Sequence, residues 1–414
     1  MADDTSLERL LAQQCGIPAA AAKQLADRLI DVDPVTGTTG GVVQHITTNG
    51  NKLPKTRRGV ARVLSGSGRL TVAKVGDSTT AEAGAGSSGP TLMIGAQPNG
   101  CPAQLAKRLA QIYGCTGQSA VTECWSSVAG VTFSQFDPRV VSLGGGASIG
   151  AGGNWTTHAG QLLIIPAGGT VVINPGINVD TIVFGYVQNA GLGTITPTLD
   201  NAGAVAPAST STAGAFLCTK AAHTFTKGQR TITLTGSVAT SYIQFIHAYD
   251  STAPGVDVYS LAHWGGGAGD FSNNSNPWSP GNASAYAGLG LDLAIIELTI
   301  NDAIGGTALT QYKTNLQTLI TAVKTSASAP DIILSSGWPP NNATSTNGVL
   351  EQYRAVLRDL AATNGLPYVA FGEGRIGSYA EWADVYAPDG IHILRTGYGT
   401  QSDFWANVIA ALAA

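Results

Sequence analysis

Residues 70–79 read LTVAKVGDST, a short apolar run that ends at a glycine and is followed by an acid and a serine. The run over residues 70–75 predicts a buried strand. Ser78 would then stand just past the carboxyl end of that strand, where open α/β sheets bind their ligands. Gly76 permits a tight turn, and the backbone N–H groups that follow can face a developing negative charge. Taken alone, this motif is more typical of a plain turn in which Asp77 or Ser78 caps a helix.

Strands and helices alternate around this segment and again after residue 254. A helix is predicted over residues 102–114, with a proline near its start and a glycine at its end. Later strands are predicted at 256–261, 291–300, 331–336 and 367–371, and apolar residues mark helices within 309–323, 350–360 and 404–412. This alternation indicates the α/β fold class, with right-handed crossovers and a parallel sheet.

The segment between these two parts has a different pattern. Residues 119–250 contain short runs such as QLLII, TVVI, DTIVF, RTITL and YIQFIH, separated by glycine, proline, asparagine and threonine. Such runs predict a β-sandwich or jelly roll inserted into the α/β domain. The predicted division is an N-terminal helical hairpin and linker, a first α/β part, the inserted β-domain and a second α/β part: 1–66, 67–118, 119–250 and 251–414.

The charge balance excludes several classes of protein. Only 12% of the residues are charged, and 26 acidic against 22 basic residues give a net charge of −4. This composition lacks the basic footprint of a nucleic-acid binder, and no long apolar run predicts insertion into a membrane. The first residues, MADDTSLERLL, are acidic where a secretory signal peptide would be basic and then apolar. We therefore expect a chain without a signal peptide, made in the cytoplasm.

Cysteine and histidine give no metal signature. The five cysteines form no CxxC pair, and we favour free buried thiols over a bridge between Cys115 and either Cys101 or Cys124. The six histidines form neither HxH nor HExxH, so we predict no metal and no cofactor. Structural or surface roles are expected for the histidines outside the α/β blocks, His45, His158, His223 and His247.

Two polar residues near the C-terminus suit general-base chemistry. The motif DGIH places Asp389 three residues before His392, ahead of the last predicted helix. A serine needs a base to become nucleophilic, and histidine is the usual one. The base in turn needs a third group that holds its tautomer, which Asp389 could supply from the same turn. Such a pair is also common in surface loops.

Two further motifs end predicted strands. TIND brings Asn301 to a strand end, where its amide can donate a hydrogen bond to an oxyanion. The plainer interpretation is that Asn301 or Asp302 caps the next helix, and we expect that capping role for Asp302. SLAHWGGG ends another strand, and its glycines allow a backbone N–H close to a reacting oxygen. Here Gly265 and Gly266 are both candidates.

Together, the four motifs follow the first, second, third and last α/β segments in order, and this arrangement resembles the SGNH/GDSL hydrolase family. The resemblance covers residues 70–110 and 255–412. It implies a flavodoxin-like, three-layer α/β/α domain with a five-stranded parallel sheet. Two positions depart from the family pattern, because Thr79 follows GDS and Thr299 replaces the glycine of the GxND block.

The resemblance also implies a serine esterase mechanism. In this mechanism Ser78 is the nucleophile, His392 is the base and Asp389 orients the base. The oxyanion donors are Gly265 and Asn301. Gly265 is preferred to Gly266 because its spacing from Ser260 matches the family form. His263 and Trp264 flank this site and suit either a substrate pocket or core packing. Substrate-binding residues cannot be assigned from the sequence.

The inserted β-domain resembles carbohydrate-binding modules, which narrows the expected substrate. We expect a carbohydrate O-acetylesterase acting on a cell-surface polysaccharide or peptidoglycan. It could belong to a phage tail as a deacetylase, with residues 1–66 attaching it to the virion and its action at the host cell surface. Residues 1–66 are equally compatible with a small brace on the main domain. The alternatives are a non-catalytic glycan-binding or receptor-binding tail protein on the same scaffold, and a lipase or thioesterase.

Overall fold

The computed structural model describes most of the chain in several stretches. These are residues 46–50, 52–86, 93–122, 131–150, 162–200, 210–276, 279–341, 348–372 and 383–413. The predicted helical hairpin of the first thirty residues lies outside the described residues, as do Cys15 and Cys124.

The described residues form strands and helices that are numbered here in chain order. The strands are β1 (Ile46–Thr47), β2 (Arg69–Gly76), β3 (Thr116–Ser119), β4 (Val121–Thr122), β5 (Val140–Gly144), β6 (Ser148–Gly150), β7 (Leu162–Ile165), β8 (Thr170–Ile173), β9 (Asn178–Gln188), β10 (Thr194–Leu199), β11 (Thr210–Ser211), β12 (Leu217–Gln229), β13 (Ile232–Ser237), β14 (Ser241–Tyr249), β15 (Gly255–Ala262), β16 (Leu293–Glu297), β17 (Asp331–Ser335) and β18 (Tyr368–Val369). The α-helices are α1 (Pro54–Leu64), α2 (Cys101–Tyr113), α3 (Phe133–Phe136), α4 (Ala268–Phe271), α5 (Ile300–Gly305), α6 (Leu309–Thr325), α7 (Val349–Asn364) and α8 (Arg395–Ala413).

The α/β part is built on one mainly parallel sheet. Its strand order is β1-β18-β17-β16-β2-β15-β3, and β1 alone in this sheet pairs antiparallel. The stretch β15-β2-β16-β17-β18 has the flavodoxin-like order, in which the first strand lies between the second and the third. The expected five-stranded core is therefore confirmed. The added strand β3 was not predicted, because its sequence TGQS has no apolar run.

Apolar residues alternate between the two faces of this sheet, as the pleat of a strand requires. Leu70 and Val72 of β2 pack in one hydrophobic cluster, which includes residues of α1, α2 and α8. Ala73 and Val75 pack in a second cluster, with residues of α6 and α7. Helices thus cover both faces, and the domain has the expected three layers.

Two antiparallel sheets lie between β3 and β15 in the chain, as predicted for the inserted segment. One has the order β11-β10-β13-β8-β5, and the other has the order β12-β9-β14-β7-β6, with β4 also paired to β14. The chain enters through β4 and leaves through β14, and Val121 lies opposite Ile246 in that pairing. The two ends of the insert therefore meet at the edge of the parallel sheet.

The inserted sheets share buried surface with the α/β part. Val183 of β9 and Phe245 of β14 belong to the same hydrophobic cluster as Tyr259 and Tyr286. The Phe245 and Tyr259 rings meet edge to face, with centroids 5.0 Å apart. The two parts thus share one hydrophobic cluster and are not separated by a gap in packing. The domain boundaries at residues 119 and 250 therefore stay a prediction.

A buried ion pair also lies at this junction. Arg69 at the start of β2 donates from Nε and one terminal nitrogen to the two carboxylate oxygens of Asp257, at 2.7 and 2.6 Å. Nε2 of His247 lies 2.8 Å from the same carboxylate, and the Arg69 guanidinium lies over the Tyr249 ring. Burial acts to raise the pKa of Asp257, but His247 and Arg69 outweigh it and lower that pKa to about 2. His247 thus has the structural role expected from the sequence.

We expect Asp257→Asn to lower the free energy of unfolding by about 3–5 kcal/mol, because it leaves the Arg69 charge without its partner in a largely buried place. The exposed pair of Arg108 and Asp403 offers a control, and Asp403→Asn should cost no more than about 1 kcal/mol. Urea unfolding measures both variants. Equal costs would contradict the structural role of Asp257.

The same ion pair predicts a pH dependence of stability. The folded-state pKa of Asp257 is about 2, below the value of about 3.9 for a free aspartate. Its contribution to the free energy of unfolding should be present above pH ~4 and disappear as the pH falls to about 2. This loss should be absent from the Asp257→Asn variant.

Candidate active site

The serine predicted as a nucleophile lies on a tight turn directly after β2. The Asp77 carboxylate accepts hydrogen bonds from the backbone N–H and the hydroxyl of Thr79, both at 2.8 Å, and this closes the turn around Ser78. A Cβ atom at Gly76 would lie 2.2 Å from the Thr80 hydroxyl oxygen, so glycine is required there. Burial raises the pKa of Asp77 to about 6, although the Thr79 hydrogen bonds act to lower it.

The structure brings Ser78, His392 and Asp389 into one hydrogen-bonded line. The distance from Nε2 of His392 to the Ser78 hydroxyl oxygen is 2.9 Å, and Nδ1 of His392 lies 2.6 Å from Asp389 Oδ2. Oδ1 of Asp389 also accepts the backbone N–H groups of Ile391 and His392. Burial acts to raise the pKa of Asp389, but these hydrogen bonds hold it below its usual value. Asp389 is therefore ionised at neutral pH.

The glycine-rich loop after β15 packs beside this line. The half-buried ring of Trp264 stacks on the His392 imidazole, with centroids 5.1 Å apart and planes 27° from parallel. The backbone N–H of His263 donates to the carbonyl of Gly76 at 3.0 Å, which ties the loop to the nucleophile strand. Trp264 is predicted to flank the site because it directly precedes the glycines, but nothing in the sequence pattern predicts its contact with His392.

The two candidate glycines differ in how their backbone amides are used. The N–H of Gly266 donates to the carbonyl of His263 at 3.0 Å and so completes a turn. Gly265 is exposed, has a φ of 69°, and its N–H makes no hydrogen bond within the described stretches. Gly265 therefore keeps a backbone donor that Gly266 has already used in the turn.

Asn301 and Asp302 both contact this loop from the first turn of α5. One N–H of the Asn301 amide donates to the carbonyl of Gly266 at 2.9 Å, and the amide has a second donor. The Asp302 carboxylate accepts the N–H of Ala268 at 2.7 Å. The predicted cap is thus wrong in its target, because Asp302 lies inside its own helix and caps α4 instead. The strand predicted over residues 291–300 is shorter in the structure, where β16 ends at Glu297. Asp302 therefore lies in α5, from which its carboxylate reaches the N–H of Ala268.

Metal ligands and thiols do not add to this site. No group of three or more potential metal ligands occurs among the described residues. Cys101, Cys115 and Cys218 are free, so no bridge joins Cys101 to Cys115. Within the same residues, no helix is long and apolar enough to cross a membrane. The described chemistry is that of a hydroxyl, an imidazole and a carboxylate in line, the arrangement that activates a serine.

Comparison with protein-family models finds a match over part of the chain. Residues 255–399 match the model of the GDSL-like Lipase/Acylhydrolase family. The matched range contains the glycine loop, Asn301, Asp389 and His392, whereas Ser78 precedes the inserted sheets. The search of curated proteins finds no match to the chain.

Comparison with solved structures finds one of the same fold over most of the chain. A peptidoglycan O-acetylesterase is similar with a TM-score of 0.67 at 19% identity, over 89% of this chain and 99% of that one. A family two carbohydrate esterase from Cellvibrio japonicus gives a TM-score of 0.29 at 12% identity, over 67% and 96% of the two chains. The first similarity extends over both the parallel sheet and the inserted sheets.

Proposed function

We propose that this chain, whose residues 255–399 match the GDSL-like Lipase/Acylhydrolase family, is a serine ester hydrolase that removes O-acetyl groups from a cell-surface glycan, with peptidoglycan as the leading candidate. The observation that carries the proposal is the hydrogen-bonded line from Ser78 through His392 to Asp389. A serine held in this way is the nucleophile of acyl transfer.

The proposed reaction has two halves. Nε2 of His392 accepts the Ser78 proton while the serine oxygen attacks the ester carbonyl carbon. The bond to the sugar oxygen then breaks, and His392 returns the proton to that oxygen, which leaves an acetylated Ser78. Water then attacks the acyl carbon with His392 again as the base, the bond from that carbon to the Ser78 oxygen breaks, His392 returns the proton to Ser78, and acetate is released. The ionised Asp389 stabilises the imidazolium in both halves, and the proposal requires no metal or cofactor.

The backbone N–H groups of Ser78 and Gly265 and the Asn301 amide are the proposed oxyanion donors. We expect Asn301→Ala to lower turnover by about 10²–10³-fold with little change in KM, because such donors act mainly in the transition state. Steady-state kinetics on an aryl acetate would measure both constants. Asn273→Ala, outside this set, is a matched control for loss of an asparagine amide. A variant that raises KM alone would assign Asn301 to substrate binding.

Support for a glycan ester comes from the overall architecture. The parallel sheet and the inserted sheets together resemble a peptidoglycan O-acetylesterase, and an inserted β-domain of this kind suits the binding of a polymeric substrate. A lipase or thioesterase would need an apolar site for a long acyl chain. A non-catalytic glycan-binding protein would not need the aligned serine, histidine and carboxylate.

The site of action is also a proposal. The linker predicted to run to residue 66 ends earlier, because α1 (Pro54–Leu64) packs against the α/β part. We propose that the protein acts at a host cell surface as part of a virion, attached through the residues that precede α1. Most of that segment lies outside the described residues, and the proposal rests on the sequence pattern alone. Immunogold labelling of virions, with and without residues 1–45, would test it.

Substrate preference tests the proposed function. Acetate release should be measured from O-acetylated peptidoglycan and an acetylated polysaccharide, and compared with aryl esters of short and long acyl chains. We expect release from at least one glycan and a preference for acetyl over long acyl chains. Preference for long chains would favour a lipase or thioesterase, and glycan binding without hydrolysis would favour a binding protein. Ser78→Ala, prepared in parallel, controls for contaminating esterase.

A further inference from the structure

A buried polar cluster lies beneath the proposed site and takes no part in the proposed chemistry. Nζ of Lys74 donates to Oε2 of Glu297 at 2.8 Å, and Nε2 of Gln401 donates to Oε1 of the same carboxylate at 2.8 Å. The three side chains are at most 1% exposed. Well-packed apolar residues often replace a buried ion pair without loss of stability. Stability alone therefore does not account for this cluster.

The ion pair joins the two strands that lead to the nucleophile and to the oxyanion amide. Lys74 lies on β2, four residues before Ser78, and Glu297 ends β16, four residues before Asn301. The strands are parallel neighbours, and Glu297 lies opposite Gly76. Lys74 is therefore diagonal to Glu297 across the two strands. An ion pair between diagonal neighbours fixes the position of one strand relative to the other along the strand direction.

The third member of the cluster extends this connection to the histidine. Gln401 lies on α8 (Arg395–Ala413), which begins three residues after His392. On the same helix, the Tyr398 hydroxyl donates to the carbonyl of Ala83 at 2.9 Å, in the segment after the nucleophile. The helix that follows the histidine is thus hydrogen-bonded both to the cluster and to the nucleophile segment.

We propose that Lys74, Glu297 and Gln401 are positioning residues, which together fix the three segments that carry the nucleophile, the oxyanion amide and the histidine. The inference rests on the proposed function and extends it. Glu297 is suited to this role because each carboxylate oxygen binds a different segment. Apolar packing is less directional and would let these segments shift, and a shift of about 1 Å at reacting atoms can cost on the order of 10²-fold in rate.

Gln401→Met tests the proposal with the least disturbance, since it removes one hydrogen bond and keeps the side-chain volume. We expect kcat on an aryl acetate to fall about 10-fold to 100-fold with KM nearly unchanged, and labelling of Ser78 by a serine-directed phosphonate to slow in parallel. The matched control is Asp257→Asn, which disrupts a buried ion pair at the opposite end of β2. That control should lower the Tm and leave kcat unchanged.

A second variant separates positioning from stability. The double variant Lys74→Met and Glu297→Met replaces the ion pair with apolar side chains, and we expect it to fold with kcat reduced at least as much as in Gln401→Met. Wild-type kcat in either folded variant would overturn the proposal, as would equal loss of kcat in Asp257→Asn. If the double variant does not fold, Gln401→Met decides.

The proposed function can fail separately from this inference. Ser78→Ala is measured with the same substrate and preparation. An active Ser78→Ala variant would refute the catalytic assignment itself. An inactive Ser78→Ala variant beside a fully active Gln401→Met variant would refute only the positioning role.

Discussion

Ser78→Ala should abolish nearly all ester hydrolysis, with a loss on the order of 10⁴-fold or more in kcat. The hydroxyl is the group that would form the acyl-enzyme, and none of the remaining site groups can replace it. Ser78 accepts or donates no hydrogen bond through its side chain in the described residues other than that with His392. The fold should therefore survive the substitution, with a Tm close to that of the parent.

Two measurements check this result. Turnover of an aryl acetate gives the size of the loss, and mass spectrometry after treatment with a serine-directed phosphonate should find the label on Ser78. Ser326→Ala is a suitable control, because Ser326 is also buried and, among the described residues, its hydroxyl bonds only to the carbonyl of Val323 in the last turn of α6. Near-normal turnover in Ser78→Ala, or a label on another serine, would contradict the assignment.

The elements of the site were predictable because each follows an apolar strand or precedes a helix with a clear pattern. VGDS and DGIH lie more than 300 residues apart in the chain, yet a parallel sheet brings strand ends to one edge. The family match of residues 255–399 includes the histidine and excludes Ser78. The inserted sheets separate the first motif from the others in sequence, and the fold restores their proximity.

Other features of the fold and the site could not be predicted from the sequence. The strand Thr116–Ser119 is polar, and only its pairing with β15 makes it a strand. The capping of α4 by Asp302 and the bond from Gln401 to Glu297 join residues that are distant in sequence. Such contacts depend on how elements pack, and neither local propensity nor periodicity encodes them.

The packing of the inserted sheets changes how their contribution should be tested. Replacing them by a short linker would uncover Tyr259 and other apolar residues that now pack against Phe245. Loss of activity in such a deletion would then report unfolding of the α/β part. Substitutions of exposed side chains on the inserted sheets, such as Lys227 and Phe216, leave the shared core in place and can test the predicted glycan binding of these sheets separately from catalysis.

His392→Ala should be nearly as damaging as loss of the serine, with about 10⁴-fold or greater loss in kcat, because the serine then has no base. Asp389→Ala should be milder. The Asp389 side chain is 40% exposed, so water can reach the place of its carboxylate and hold the imidazole in part. The order of the losses is the prediction, and kcat on one aryl acetate measures it.

The rate of phosphonate labelling measures directly how reactive Ser78 is in each of these variants. A serine whose base is missing should react slowly with the reagent, so His392→Ala should label far more slowly than the parent, and Asp389→Ala should lie between them. His223→Ala is the control, since that ring stacks on Phe184 in the inserted sheets and bonds to Thr210. If His392→Ala labels at the parental rate, the hydrogen bond to Ser78 does not activate the serine, and another group must serve as the base.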